Sequence, residues 1–159
     1  FLYYGEEIGL KGKGTDPDKR LPMIWKSDAE EDTARTQAPP GTTFDLASQV
    51  TTGALDAILD PTSLTAFYRD LLSFRKETPA IQKGIYSSKT EKDSLAALLE
   101  IAYEGKTSYL AVNFDETATP VSLPSTLRIE KEFAIGGTSS LSGTSLSLAP
   151  YSVVYLVSA

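Results

Sequence analysis

The sequence predicts an α+β chain: a strand, a long loop and a helix over residues 1 to about 82, then an antiparallel β-sandwich of Greek-key type over 83–159. Three observations carry this prediction. Phe1-Leu2-Tyr3-Tyr4 is an unbroken apolar and aromatic run, the pattern of a strand covered on both faces in a parallel sheet. Between Leu64 and Arg75 large apolar residues recur at three- and four-residue spacing. From Gly84 onward the period changes to two, and turn residues punctuate short segments. A doubly buried strand needs neighbours on both edges, and parallel neighbours are reached through crossovers of about a dozen residues or more. The chain is therefore expected to be the tail of a longer protein.

The elements follow in order. Gly5 breaks the opening strand into a loop that carries Glu6 and Glu7. Leu10 to Pro22, with glycines at 12 and 14 and a proline at 17, reads as a long irregular loop, and Pro22-Met23-Ile24-Trp25 brings it back onto a packed surface. Trp25, the sole tryptophan, reads as a packing anchor, with a sugar-stacking platform as the alternative. Residues 26–41 are polar and close on Ala38-Pro39-Pro40-Gly41, a surface turn. Phe44 to Leu59 has helical character weakened by Thr51, Thr52 and Gly53, so one helix and two short ones are both admitted. Asp60-Pro61 predicts a capped helix start, and Thr78-Pro79 stops a helix of about four turns. Ile85 and Tyr86 begin a strand. Residues 95–103 and 107–114 form a hairpin around Glu104-Gly105, and further strands are expected at 117–123, 127–135, 141–148 and 152–157, the Ser/Thr/Gly-rich stretch 138–147 reading as an edge hairpin and not a linker. The composition shift puts the domain boundary near 81–84.

Composition restricts the chemistry. Fifteen basic against 21 acidic residues give a net charge of −6, and no basic patch exists to neutralise phosphates, which argues against nucleic acid. No run approaches the roughly 18 apolar residues of a membrane span. With no cysteine and no histidine, disulfides, thiolate or imidazole zinc sites and Ser-His or Cys-His nucleophiles are excluded within this chain. The acidic run Asp28, Glu30, Glu31 and Asp32 beside Lys26 reads as a solvated loop, with calcium binding as the lesser alternative.

What remains is carboxylates, aromatics and a few cations, a palette suited to glycoside hydrolysis by two opposed carboxyl groups. Glu6 and Glu7 are neighbours in a segment read as extended, so they point to opposite faces and do not form such a pair unless Gly5 bends the chain sharply; each reads as a loop carboxylate that binds backbone amides or a neighbouring Arg. Asp16 and Asp18 have the spacing to share a face but sit in a loop without predicted rigid support. Asp115-Glu116 reads as a turn pair. No catalytic set is assigned to this chain.

Phe1 to Gly9, followed by Asp16-Pro17-Asp18 and Arg20-Leu21-Pro22-Met23-Ile24-Trp25, resembles the eighth barrel strand and following loop of the α-amylase family of glycoside hydrolases. Ser63-Leu64, Tyr68-Arg69, Leu71-Leu72, Arg75-Lys76, Pro79-Ala80 and Gly84 are similar to that family's eighth helix and its exit. Ala149-Pro150-Tyr151-Ser152-Val153-Val154 resembles the last strand of its β-sandwich domain. The resemblance implies that residues 1–82 are the C-terminal end of a (β/α)8 TIM barrel (strand 8, loop and helix 8) and that 83–159 are the C-terminal all-β domain.

The parent would then be a retaining hydrolase of α-1,4-glucosidic bonds in starch or maltodextrins, with its catalytic carboxylates on the fourth, fifth and seventh strands, outside this chain. The piece by itself is expected to be inactive. Arg20 and Trp25 are the candidates for lining the substrate cleft. Expected partners are an α-glucan or maltooligosaccharide, through the parent, and the missing N-terminal barrel residues. No cofactor is assigned to the chain itself, calcium remaining an option for the parent, and a bacterial extracellular or periplasmic location is favoured over a cytoplasmic one. The competing readings are a carbohydrate-binding or structural module, with Tyr86, Tyr103, Tyr109 and Tyr155 as stacking platforms, and an amylase-like scaffold without activity.

Overall fold

A computed structural model describes residues 2–159, which divide into two compact units that part between Ser73 and Phe74. The division falls inside a helix, earlier than the composition shift at 81–84. Side-chain packing accounts for the difference. Phe74 meets the rings of Phe133 and Tyr155 at centroid distances of 5.7 and 5.6 Å, so the last turn of that helix belongs with the strands.

In the first unit, the strand expected over 1–4 is not found. Leu2 and Tyr3 have no regular structure, Tyr4 opens a turn, and all three are exposed, while Phe1 lies outside the described residues. A buried strand draws its hydrogen bonds from neighbouring strands, and among the described residues none pairs with residues 2–4. The segment after it is a 3₁₀ turn, Glu6–Ile8, held between Gly5 and Gly9, both in the left-handed region. Gly5 is required there: a Cβ would stand 2.8 Å from the Leu10 side chain.

A second 3₁₀ turn, Pro17–Lys19, interrupts the long loop. The region read as one helix or two forms a 3₁₀ turn at Leu46–Ser48 and a single-turn helix α1 at Ala54–Ala57. Ile8, Ile24 and Ala57 make its small core, with Leu10, Met23, Val50 and Ala54 against them. Helix α2 runs Leu64–Glu77. Its cap is Ser63 and not Asp60: Ser63 Oγ accepts the Ala66 N–H at 3.0 Å, while Asp60 turns back to take the Thr62 N–H and hydroxyl.

In the second unit, helix α3 (Pro79–Lys83) precedes eight strands: β1 Ile85–Ser88, β2 Ala96–Tyr103, β3 Lys106–Asn113, β4 Thr119–Ser122, β5 Leu127–Ala134, β6 Ser140–Ser142, β7 Ser145–Leu148 and β8 Ser152–Ser158. They form a five-stranded sheet in the order β1-β2-β3-β8-β5 and a three-stranded sheet β4-β7-β6, antiparallel throughout. Alternation sends Leu98, Ala111, Val154 and Leu156 of the large sheet inward to meet Leu146 and Leu148 of the small one. β2 and β3 pair from Ala96↔Asn113 to Tyr103↔Lys106, leaving Glu104 and Gly105, both with positive φ, as a two-residue turn. The Ser/Thr/Gly-rich stretch 138–147 forms the edge hairpin expected of it, β6–β7 around Gly143-Thr144.

Candidate functional site

Within the first unit, the loop from Asp16 to Asp32 presents the candidate cleft residues. Arg20 ends the turn Pro17–Lys19 and pairs with the exposed Asp16 four residues before it. Trp25 follows the buried Ile24 and is itself 41% exposed. Its backbone is nevertheless fixed: the Trp25 N–H donates to Asp32 Oδ2 at 3.2 Å and its carbonyl accepts the Leu55 N–H at 2.9 Å. On either side, the Ile24 carbonyl accepts from Ala54 at 2.9 Å, and the Ser27 N–H donates to Asp56 Oδ2 at 2.6 Å. Those bonds to Ser27, the side-chain one first, hold the Asp56 carboxyl below the usual carboxylate range. Gly53 allows the approach, since a Cβ there would lie 2.4 Å from the Lys26 carbonyl carbon.

Asp16 and Asp18 do not share a face. Asp18 is buried and accepts from the Thr43 hydroxyl (2.7 Å), the Thr43 and Phe44 N–H groups (2.7 and 2.8 Å) and the Thr15 hydroxyl (2.9 Å). The Thr43 hydroxyl foremost, with the two N–H groups and Thr15 after it, outweighs desolvation and lowers its pKa to about 2. Gln49 repeats the device, taking the Lys11 and Val50 N–H groups on Oε1 and donating Nε2 to the Lys11 carbonyl. These are supports of the loop, not groups poised to react. Only the Thr15-x-x-Asp18 contact is local; the partners at 43 and 44 left no mark in the sequence.

Glu6 and Glu7 lie in a 3₁₀ turn, not in the extended segment expected of them. With Leu2, Tyr3, Thr65, Tyr68 and Leu72 they line a shallow cavity of about 300 Å³. Asp28 and Glu31 are exposed, Glu31 pairing with Lys26 at 3.1 Å, but Asp32 is 6% exposed, so the solvated run ends one residue early. Among the described residues no group of three or more His, Cys, Asp or Glu side chains is placed to hold a metal ion.

Of the tyrosines read as stacking platforms, Tyr109 and Tyr155 are buried in the second unit. Tyr109 donates its hydroxyl to Glu100 at 3.2 Å. Tyr86 is half-exposed and donates to the Ile81 carbonyl at 2.7 Å, and Tyr103 is partly buried.

No protein-family model matches the chain. A search of characterised proteins finds alpha-amylase SusG of Bacteroides thetaiotaomicron, 31% identical in an alignment of 146 residues that covers 86% of this chain and 20% of that protein. Among solved structures, Amy13B of Eubacterium rectale superposes on the whole chain with a TM-score of 0.81, and the match takes up 31% of Amy13B; at 24% identity the likeness is one of fold. Trehalulose synthase MutB of Pseudomonas mesoacidophila matches 88% of the chain and 25% of its own, with a TM-score of 0.67 and 26% identity. The chain belongs to the α-amylase family. Within that family it corresponds to the C-terminal part of the enzyme, and its β-sandwich is the C-terminal domain. It spans about a fifth to a third of the length of these relatives. Among the described residues, no helix of this α-amylase family chain is long and apolar enough to cross a membrane.

Proposed function

We propose that the chain is the C-terminal part of a retaining α-glucan hydrolase, which cleaves α-1,4-glucosidic bonds in starch or maltodextrins. In this reading residues 1–82 complete the catalytic barrel and line its substrate cleft, and 83–159 form the accessory sandwich. The catalytic carboxylates belong to other strands of the barrel. The observation that carries the reading is the Trp25 loop: a half-exposed indole on a backbone tied at residues 24, 25 and 27, with the Arg20 cation five positions earlier. A rigid aromatic face beside polar groups suits a sugar ring, whose C–H face stacks while its hydroxyls hydrogen-bond. The similarity to an alpha-amylase over 86% of the chain supports the substrate class. Polymeric starch cannot enter a cell, so cleavage of starch itself favours a location outside the cytoplasm.

The test is kinetic. The full-length protein should hydrolyse maltoheptaose with retention of anomeric configuration, and Trp25→Ala should lower kcat/KM by about tenfold, the loss of one stacking contact. The 159-residue chain alone should release no reducing sugar from starch. Turnover by that chain, or inversion by the full-length enzyme, would overturn the proposal.

A further inference from the structure

Asp32 is 6% exposed, and its carboxylate makes one hydrogen bond with a described partner, from the Trp25 N–H to Oδ2 at 3.2 Å. Oδ1 is buried with no partner among the described residues. A buried carboxylate with an unmatched oxygen costs stability, and a neutral acceptor would hold one amide at lower cost. The arrangement is thus poorly suited to stability alone. It is well placed for Trp25, because the Asp32 bond closes the one side of that residue's backbone that α1 does not reach. Leu55 takes the carbonyl at 2.9 Å, Ala54 and Asp56 hold residues 24 and 27, and Asp32 takes the N–H. With both backbone groups engaged, the direction of the Cα–Cβ bond is set, and the exposed indole is presented in one orientation.

We infer that Asp32 is a positioning residue for Trp25, fixing the backbone from which the indole meets a glucosyl unit. The inference rests on the cleft-wall reading of Trp25 given above. It assigns a role to the one member of the acidic run that is withdrawn from solvent, and it makes the carboxylate act through Trp25 and not on the sugar, since neither reactive geometry nor exposure is available to it.

The experiment compares Trp25→Ala, Asp32→Ala, Asp32→Asn and the double variant Asp32→Ala/Trp25→Ala in the full-length protein. It reads kcat/KM on maltoheptaose and amide exchange in the peptide covering 23–26. Asp32→Ala should speed exchange at the Trp25 amide by about tenfold and lower kcat/KM by about fivefold. Asp32→Asn, which keeps an oxygen acceptor, should restore both. In the double variant the Asp32 change should cost nothing beyond the loss of Trp25. If Trp25→Ala is costly but Asp32→Ala changes neither readout, or if the two losses multiply, the positioning role is overturned while the cleft-wall reading survives. If Trp25→Ala itself leaves kcat/KM unchanged, the cleft-wall reading fails and the positioning role with it. Should Asp32→Ala not fold, Asp32→Asn decides alone: wild-type kinetics and exchange support the inference, and a loss of activity with unchanged exchange overturns it.

Discussion

Asp18 and Asn113 each gather backbone and side-chain groups that no helix or strand pairs, and both are buried. Asp18 does so as an anion. Its folded pKa of about 2 lies below the ordinary 3.8, so its stabilisation is complete above pH 4 or so and is lost as the pH falls through about 2. Thermal melts of the chain should therefore show a fall in the stability of the first unit within that window, and Asp18→Asn should flatten it; an unchanged slope in the variant would remove Asp18 as its source. Asn113 donates Nδ2 to the Thr117 and Ala149 carbonyls at 2.8 and 3.0 Å, and its Oδ1 accepts the Asp115 N–H at 3.0 Å. Asn113→Ala would remove all three bonds and leave the Asp115 N–H without its acceptor, and chemical denaturation should show a loss of about 2 kcal/mol. The Ala149-Pro150-Tyr151-Ser152 motif was legible as a strand entrance. The tie from Asn113 that anchors it was not, because its partner lies 36 residues away.

Elements whose determinants are local were read closely, and those that borrow partners were not. The β2–β3 hairpin came from strict alternation around Glu104-Gly105. Both turn residues have positive φ, 48° and 73°, as a type I′ turn requires. Asparagine tolerates that region better than glutamate, so Glu104→Asn should raise stability by about 0.5 kcal/mol in equilibrium unfolding. The α2 face and its stop at Thr78-Pro79 were equally plain, but the start was misplaced: Asp60-Pro61 has the composition of a cap, and Ser63 does the capping. Ser63→Ala should cost about 1 kcal/mol, whereas Pro61→Ala should cost far less; the reverse order would restore the sequence-based start. The opening strand shows the converse failure. An apolar run specifies burial, but a ladder needs a second strand, and residues 2–4 have none here.

At the scale of the molecule, the two units differ in how much they bury. The sandwich has a continuous core in which Leu146, Leu148, Val154 and Leu156 are fully enclosed, whereas the first unit closes around Ile8, Ile24 and Ala57 and relies on side-chain to backbone bonds in its loops. Amide exchange should accordingly be slower across 74–159 than across 1–73. Equal protection in the two would contradict that account. Leu146→Ala, at the centre of the sandwich, should cost about 3 kcal/mol by calorimetry.

The sequence by itself determined the helix face, the strand periods, the turn pairs and the order that places the chain at the C-terminal end of an α-amylase family enzyme. It also excluded thiol and imidazole chemistry. The helix face, the strand periods and the turn pairs follow from residue type and short-range spacing, which act before the chain has closed on itself; the placement within the family follows from the resemblance of its motifs. Only the tertiary structure decided that Asp18 is a buried support and not a site carboxylate, that Asp32 leaves the solvated run to hold Trp25, and that the units part within α2. Each depends on which distant group the closed chain brings within hydrogen-bonding or packing distance, and no local pattern encodes that.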